Sequence, residues 1–211
     1  MTFIPLQDHY SCYSFTSDSI TETQYQSLCR FIEHELATTP LHPASSNMDH
    51  TAPAGFLFNL EKKLRWTSTH GEISMLVYDN TIVGVSCVEV SEIHPLLAVG
   101  GIRCWINKKH RLHNQPTVHL LSANLQWAEK NQMHAMMLTF NDYNKIIYDS
   151  IKRKSQHKGA GLSKIWSNWW NNCLPIDYPI MIKNTKQWCI LKPIDHNKTC
   201  EIYQLLNKEN I

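Results

Sequence analysis

The chain predicts an α/β fold, one mixed sheet flanked by helices, and three stretches carry that reading. Residues 73–78 and 81–90 are β-rich runs separated only by Asp79-Asn80, a dipeptide that closes tight antiparallel hairpins. Residues 102–140 pass from an apolar alternating run through a helical periodicity to a second apolar run short enough to be a buried strand, a strand-helix-strand order. Amphipathic helical spacing recurs near both ends of the sequence. With 211 residues and 43% hydrophobic content the chain can bury a full core, and we expect a single domain over residues 1–211. Its central unit spans about residues 72–154, and residues 155–211 add closing strands and a final helix.

Each element has a local reason. Residues 21–36 read as a helix: Thr21 and Gln24 have capping-box spacing, and Tyr25, Leu28, Cys29, Ile32 and Leu36 share one face. Residues 40–53, rich in Pro, Ser, Asn and His, read as a loop. A second helix is expected over 54–66 with Leu57, Leu60 and Leu64 inward. In the hairpin, Val83, Val85, Cys87 and Glu89 are expected on one face, and Gly84 removes a side chain from the other. Pro116-Thr117 opens a helix presenting Val118, Leu121, Leu125 and Ala128. A buried strand over 134–140 and a helix over 142–154 follow, the helix ending in Lys152-Arg153-Lys154, where cations complement its dipole. Trp166, Trp169 and Trp170 lie on a short helix. Runs at 179–182 and 187–191, around Asn184-Thr185, are the closing strands, and 199–207 is the terminal helix.

Composition removes several classes of function. A net charge of +2 gives no global attraction to nucleic acid. No run of about eighteen apolar residues occurs, and the first residues lack a charged segment before an apolar one, so neither a membrane span nor a signal peptide is expected and the location reads as cytoplasmic. The seven cysteines are scattered and never form C-x-x-C, which reads as buried free thiols. The twelve histidines include no H-E-x-x-H pair, and His110 and His113 read as a loop pair, so no metal is expected.

The segment 102–117 carries chemistry. The strand Ile102-Arg103-Cys104-Trp105-Ile106 runs into Lys108-Lys109-His110-Arg111 and then directly into a helix start. Backbone N–H groups of Arg111, Leu112, His113, Asn114, Gln115, Thr117 and Val118, the positive end of a helix dipole and a guanidinium then converge on one point. That point suits a polyphosphate.

In its order of strand, loop, helix, strand and helix, the chain resembles the GNAT-type N-acetyltransferases. Ile106 stands five residues before Arg111, as the last strand valine does in the family's Arg-x-x-Gly-x-Gly/Ala loop signature, and Asn141 precedes Tyr148 by the family's seven residues. Asn114 and Pro116 occupy the places of the loop's two small residues, and Pro116 has no N–H to offer a phosphate.

The resemblance implies a splayed central sheet with acetyl-CoA as cosubstrate. Its pantetheine would pair with backbone at Cys104, Trp105 and Ile106, one N–H there would polarise the thioester carbonyl, and Asn141 would bond the pantetheine. Tyr148 would protonate the leaving thiolate. Glu89, ahead of Glu92 and His94, would act as general base through water. Cys104 is expected to be an inert strand thiol. The implied activity is direct acetyl transfer to a small-molecule amine or a protein amino group, with a homodimer open as an assembly. The alternative is an inactive binding module of the same fold with Trp166, Trp169 and Trp170 on its partner surface.

Overall fold

Left-handed backbone at Asp79 (φ 43°) and Asn80 (φ 63°) folds β3 (Gly71–Tyr78) against β4 (Thr81–Val90), as the dipeptide predicts. The structure, a computed structural model, describes residues 2–5, 9–16, 18–38, 69–111, 115–156, 168–182 and 185–208. The expected loop 40–53 and helix 54–66, with Leu112, His113, Asn114 and Trp166, lie outside the described residues.

Two strands that the periodicity reading did not assign precede the first helix: β1 (Thr2–Pro5) and β2 (Tyr10–Phe15), the latter pairing with β3 from Tyr10↔Tyr78 to Phe15↔Ile73. Helix α1 (Glu22–Thr38) begins with the predicted capping box: Gln24 N–H donates to Thr21 Oγ1 at 3.3 Å, and Thr21 N–H donates to Gln24 Oε1 at 2.9 Å. Its Leu28 and Ile32, 0% and 2% exposed, bury against Phe15, Ile73, Met75, Val85 and Cys87. These two side chains contribute about 3–6 kcal/mol of burial, more than helix propensity supplies, so packing holds α1 in place.

Strand β5 (Leu97–Ile106) begins five residues earlier than the sequence suggests. After a 3₁₀ turn at Lys108–His110 come α2 (Gln115–Lys130), β6 (Ala135–Phe140), a second 3₁₀ turn at Asp142–Asn144 and α3 (Lys145–Gln156). The chain finishes with β7 (Leu174–Pro175), β8 (Ile180–Ile182), β9 (Thr185–Pro193) and α4 (His196–Lys208). Among the described residues nine strands form one sheet in the order β1-β2-β3-β4-β5-β6-β9-β7, with β8 beside β9, and only β5 and β6 run parallel. Residues of α2 and α3 pack together over one face with Met136, Leu138 and Ile190, while α1 and α4 cover the other.

The predicted common face for Val83, Val85, Cys87 and Glu89 does not hold at its first member. A register shift opposite Leu76/Val77 makes Val83 an extra residue, which packs with Leu120 and Ala123 of α2, whereas Val85 and Cys87 face α1. Gly84 keeps this contact close: a Cβ there would lie 3.2 Å from Ile106, Leu120 and the Trp105 carbonyl.

The feature that positions the site is a double glycine in β5. Gly100 passes so close to Met136 that a Cβ would lie 2.4 Å from its sulfur, and Gly101 takes φ +67° between Leu138 and Leu121. Pairing of β5 with β4 shifts register across this stretch, and pairing with β6 ends at Gly100↔Leu138. Gly101→Ala should destabilise the fold by about 1–2 kcal/mol, the cost of a left-handed L-residue. Thermal unfolding should show a drop of several degrees.

Candidate functional site

Beyond Gly100 the two parallel strands part. Strand β5 continues through Ile106 paired with β4 alone, and the end of β6, Thr139 and Phe140, pairs with Cys189 and Trp188 of β9. Among the described residues, no strand joins the other edge of β5 from 101 to 106, about 20 Å of backbone at strand rise. A sheet interior with a one-sided strand is a template for another extended chain. Cys104, Trp105 and Ile106, the backbone expected to hold a pantetheine, all lie on this stretch.

The Cys104 side chain is partly buried on the α2 side, and burial pushes its thiol up from 9.0 to about 12. The same cause raises Cys12, Cys173 and Cys189 to about 12. All seven cysteines are free, and these four are protonated at neutral pH, which fits the inert reading of Cys104.

The far end of β5 is organised by a side chain that the sequence reading passed over. Glu35 of α1, 5% exposed, accepts from Asn107 Nδ2 at 2.6 Å and from Trp105 Nε1 at 3.5 Å. Asn107 in turn caps the 3₁₀ turn by accepting from Lys109 N–H at 2.9 Å. The signal was present: Glu35 stands three residues after Ile32 and seven after Leu28, a carboxylate on an apolar stripe. Arg111 folds back over this corner, its Nε donating to the Ile106 carbonyl at 2.6 Å and its guanidinium lying 4.7 Å from the centre of the Trp105 ring. It is exposed, and its remaining N–H groups have no partner among the described residues. Helix α2 starts at Gln115, with Pro116 buried in its first turn, where a missing N–H costs nothing. The backbone of Gln115, Thr117 and Val118 therefore lies where the anion seat was expected, with Val118 packed in the core.

Asn141 ends β6 and caps the following 3₁₀ turn, accepting from Asn144 N–H at 2.9 Å. Its carbonyl oxygen is thereby engaged, and its amide NH₂ is the group it can offer a ligand. Glu89 pairs across β4 and β5 with Val99, next to the point where the gap opens, and is half-buried.

Tyr148 is where the geometry departs most from expectation. The ring is 1% exposed, 5.3 Å from Trp188, and its hydroxyl donates to the Ile176 carbonyl at 2.6 Å. Ile176 N–H pairs with Cys189 O, so this backbone lies beyond β9, two strand spacings from the β5/β6 gap. The Tyr148 hydroxyl, expected as the acid, is engaged here by the Ile176 carbonyl, and with Lys152 on Asp177 at 2.6 Å it ties α3 to residues 176–177. Trp169 and Trp170, 8% and 4% exposed, are core side chains, which removes them from any partner surface.

A buried polar row crosses the α2 side. Ser14 and Ser74 hydroxyls lie 3.1 Å apart, Asn124 Nδ2 donates to Ser74 Oγ at 3.2 Å, and Asn124 Oδ1 accepts from Ser86 Oγ at 2.8 Å and Gly101 N–H at 3.0 Å. Asn124 is 0% exposed. It too was legible as a polar interruption of an apolar stripe, between Leu121 and Trp127.

Among the described residues no His, Cys, Asp or Glu group could hold a metal ion, and no helix is long and apolar enough to cross a membrane.

Burial holds the Tyr148 hydroxyl above the ordinary tyrosine value of 10.0, against the opposing charge of Lys152. The unfolded chain then loses this proton first, so the stability is complete below pH 10 and is lost as pH rises through the folded value. Tyr148→Phe should cost about 1–3 kcal/mol at pH 7 by leaving a buried carbonyl without its donor. The difference from wild type should shrink above pH 10 in chemical denaturation.

No family model and no curated protein matches the sequence. Among solved structures, an acyl-CoA N-acyltransferase from Pseudomonas aeruginosa is 11% identical, with 87% of this chain and 99% of that one covered and a TM-score of 0.52. An acetyltransferase from Streptococcus agalactiae is 12% identical, with 90% and 100% covered and the same TM-score of 0.52. This likeness is one of fold: the chain has the fold of the GNAT-type acyl-CoA N-acyltransferases, a mixed sheet flanked by helices.

Proposed function

We propose that the protein is an N-acetyltransferase that moves an acetyl group from acetyl-CoA to an amine in a ternary complex. The observation that carries this reading is the unpaired edge of β5 opening beside the N-terminus of the sixteen-residue α2. An extended pantetheine, with two amides, completes such an edge as a strand would, and a diphosphate is matched by helix N–H groups and the guanidinium of Arg111. Both halves of one cosubstrate are thereby recognised in sequence along a single path. Asn141 offers its amide NH₂ from the opposite lip of the gap.

In this reading the acceptor enters from the α1 side, as a small amine or a protein amino group. Glu89 removes the ammonium proton through water, and the neutral amine attacks the thioester carbon. A backbone N–H of β5 beyond Gly101 stabilises the oxyanion, since Gly101 N–H is already taken by Asn124. Collapse of the tetrahedral intermediate breaks the C–S bond. The attacking nitrogen, positively charged after bond formation, gives up its second proton to water as the amide forms, and the thiolate, with an ordinary thiol pKa of about 8.5, takes up a proton through that water at the mouth of the gap. Tyr148 acts here only by holding α3.

Calorimetry with acetyl-CoA tests the binding half. The wild type should bind, and Arg111→Glu should weaken binding at least about tenfold by replacing attraction with repulsion at the diphosphate, while the melting temperature falls by a few degrees at most through loss of the Ile106 and Trp105 contacts at this exposed residue. Equal affinities would remove this corner from the site. Turnover on an amine and peptide panel tests the chemistry: Glu89→Gln should lower kcat by roughly ten- to a thousandfold without changing coenzyme affinity. Binding without turnover on any acceptor would leave a binding module.

A further inference from the structure

We infer that Asn124 is a positioning residue that holds the coenzyme gap open and keeps its two halves in register. The inference rests on the acetyl-CoA reading. At Gly101 the strand has left β6 and its φ is +67°, so the Gly101 N–H no longer has a place in the ladder. A partly buried N–H without an acceptor would favour return of the strand to regular pairing, which closes the gap. Asn124 supplies that acceptor from α2 at 3.0 Å.

The clamp is built so that Asn124 cannot turn away. Its oxygen also accepts from Ser86 of β4, and its NH₂ donates to Ser74 of β3, which bonds Ser14 of β2. Ser14, Ser74, Ser86 and Asn124 are 0–3% exposed, and leaving any one unpaired at that depth is costly. A branched carboxamide is the group that fits, because the site needs an acceptor for two donors and a donor for a hydroxyl.

The same side chain sets a distance. Asn124 lies nine residues into α2 from Gln115, about 13 Å along the helix axis. The helix end that would meet the diphosphate and the strand break where the thioester would sit are thus fixed to each other through one amide. Displacement of either misaligns a cosubstrate bound at both.

The test compares Asn124→Leu and Asn124→Asp. Leucine keeps the volume and removes every bond. Aspartic acid buried at this depth is raised toward its protonated form, whose carbonyl and hydroxyl reproduce the acceptor and the donor. The leucine variant should bind acetyl-CoA at least about tenfold more weakly, and the aspartate variant within about threefold of wild type. Thr199→Val, which removes a buried hydroxyl bonded to His134 O near the start of α4, should lower the melting temperature and leave affinity unchanged. That separates positioning from general stability. Amide exchange supplies a readout that needs no variant and no ligand: Gly101 N–H should be protected although β6 has departed.

A folded Asn124→Leu protein with wild-type affinity would overturn the inference, as would rapid exchange at Gly101 or an aspartate variant as weak as the leucine one. A wild type that binds no acetyl-CoA, with Gly101 protected, would instead overturn the coenzyme reading and leave Asn124 a purely structural clamp.

Discussion

The structure depends on one break in hydrogen bonding, at Gly100 and Gly101, where β5 stops pairing with β6 while keeping its pairing with β4. A central strand that gives up one edge exposes polar backbone in the middle of a sheet, and a fold tolerates this only where something else compensates. Here the first freed N–H is taken by Asn124, and among the described residues no strand pairs with the remaining edge, which lies beside a helix N-terminus. A side chain at Gly100 would displace Met136, and the left-handed backbone at Gly101 favours glycine.

What lies on either side of the break is correspondingly rigid. On the β4 side, Glu35 reaches from α1 to fasten Trp105 and Asn107, so the turn carrying Lys108, Lys109 and Arg111 is tied to the core at its start. On the β6 side, α3 is fastened at two successive turns, through Tyr148 to Ile176 and through Lys152 to Asp177. The exposed ion pair contributes little, whereas the fully buried tyrosine bond fixes the helix. A gap flanked by two anchored lips keeps its width, which is the condition for a preformed binding slot.

Much of this was legible from residue order. The hairpin at Asp79-Asn80, the capping box at Thr21, the helix beginning at Pro116 and the strand ending at Ile106 all follow from local chemistry and stand where the sequence places them. The candidate coenzyme path was legible for the same reason: a strand, a cationic turn and a helix start are contiguous in the chain. The strands β1 and β2 were not, because Pro5 and a six-residue run rich in Ser and Tyr carry little apolar alternation, and their pairing with β3 gives them their structure.

By itself the sequence determined most of the helices and strands, their order, and the contiguity of a strand end, a cationic turn and a helix start. Each of these depends on neighbours a few residues apart. The tertiary structure alone decided which way Tyr148 points, that Glu35 serves β5, and that Asn124 meets Gly101, contacts separated by 28, 70 and 23 residues. Helix spacing put Tyr148 on the inner face, but only packing against Trp188 and the β9 edge turned its hydroxyl to Ile176 and away from the gap. Such pairings follow from how the sheet and helices stack, a geometry that no local pattern of residues encodes.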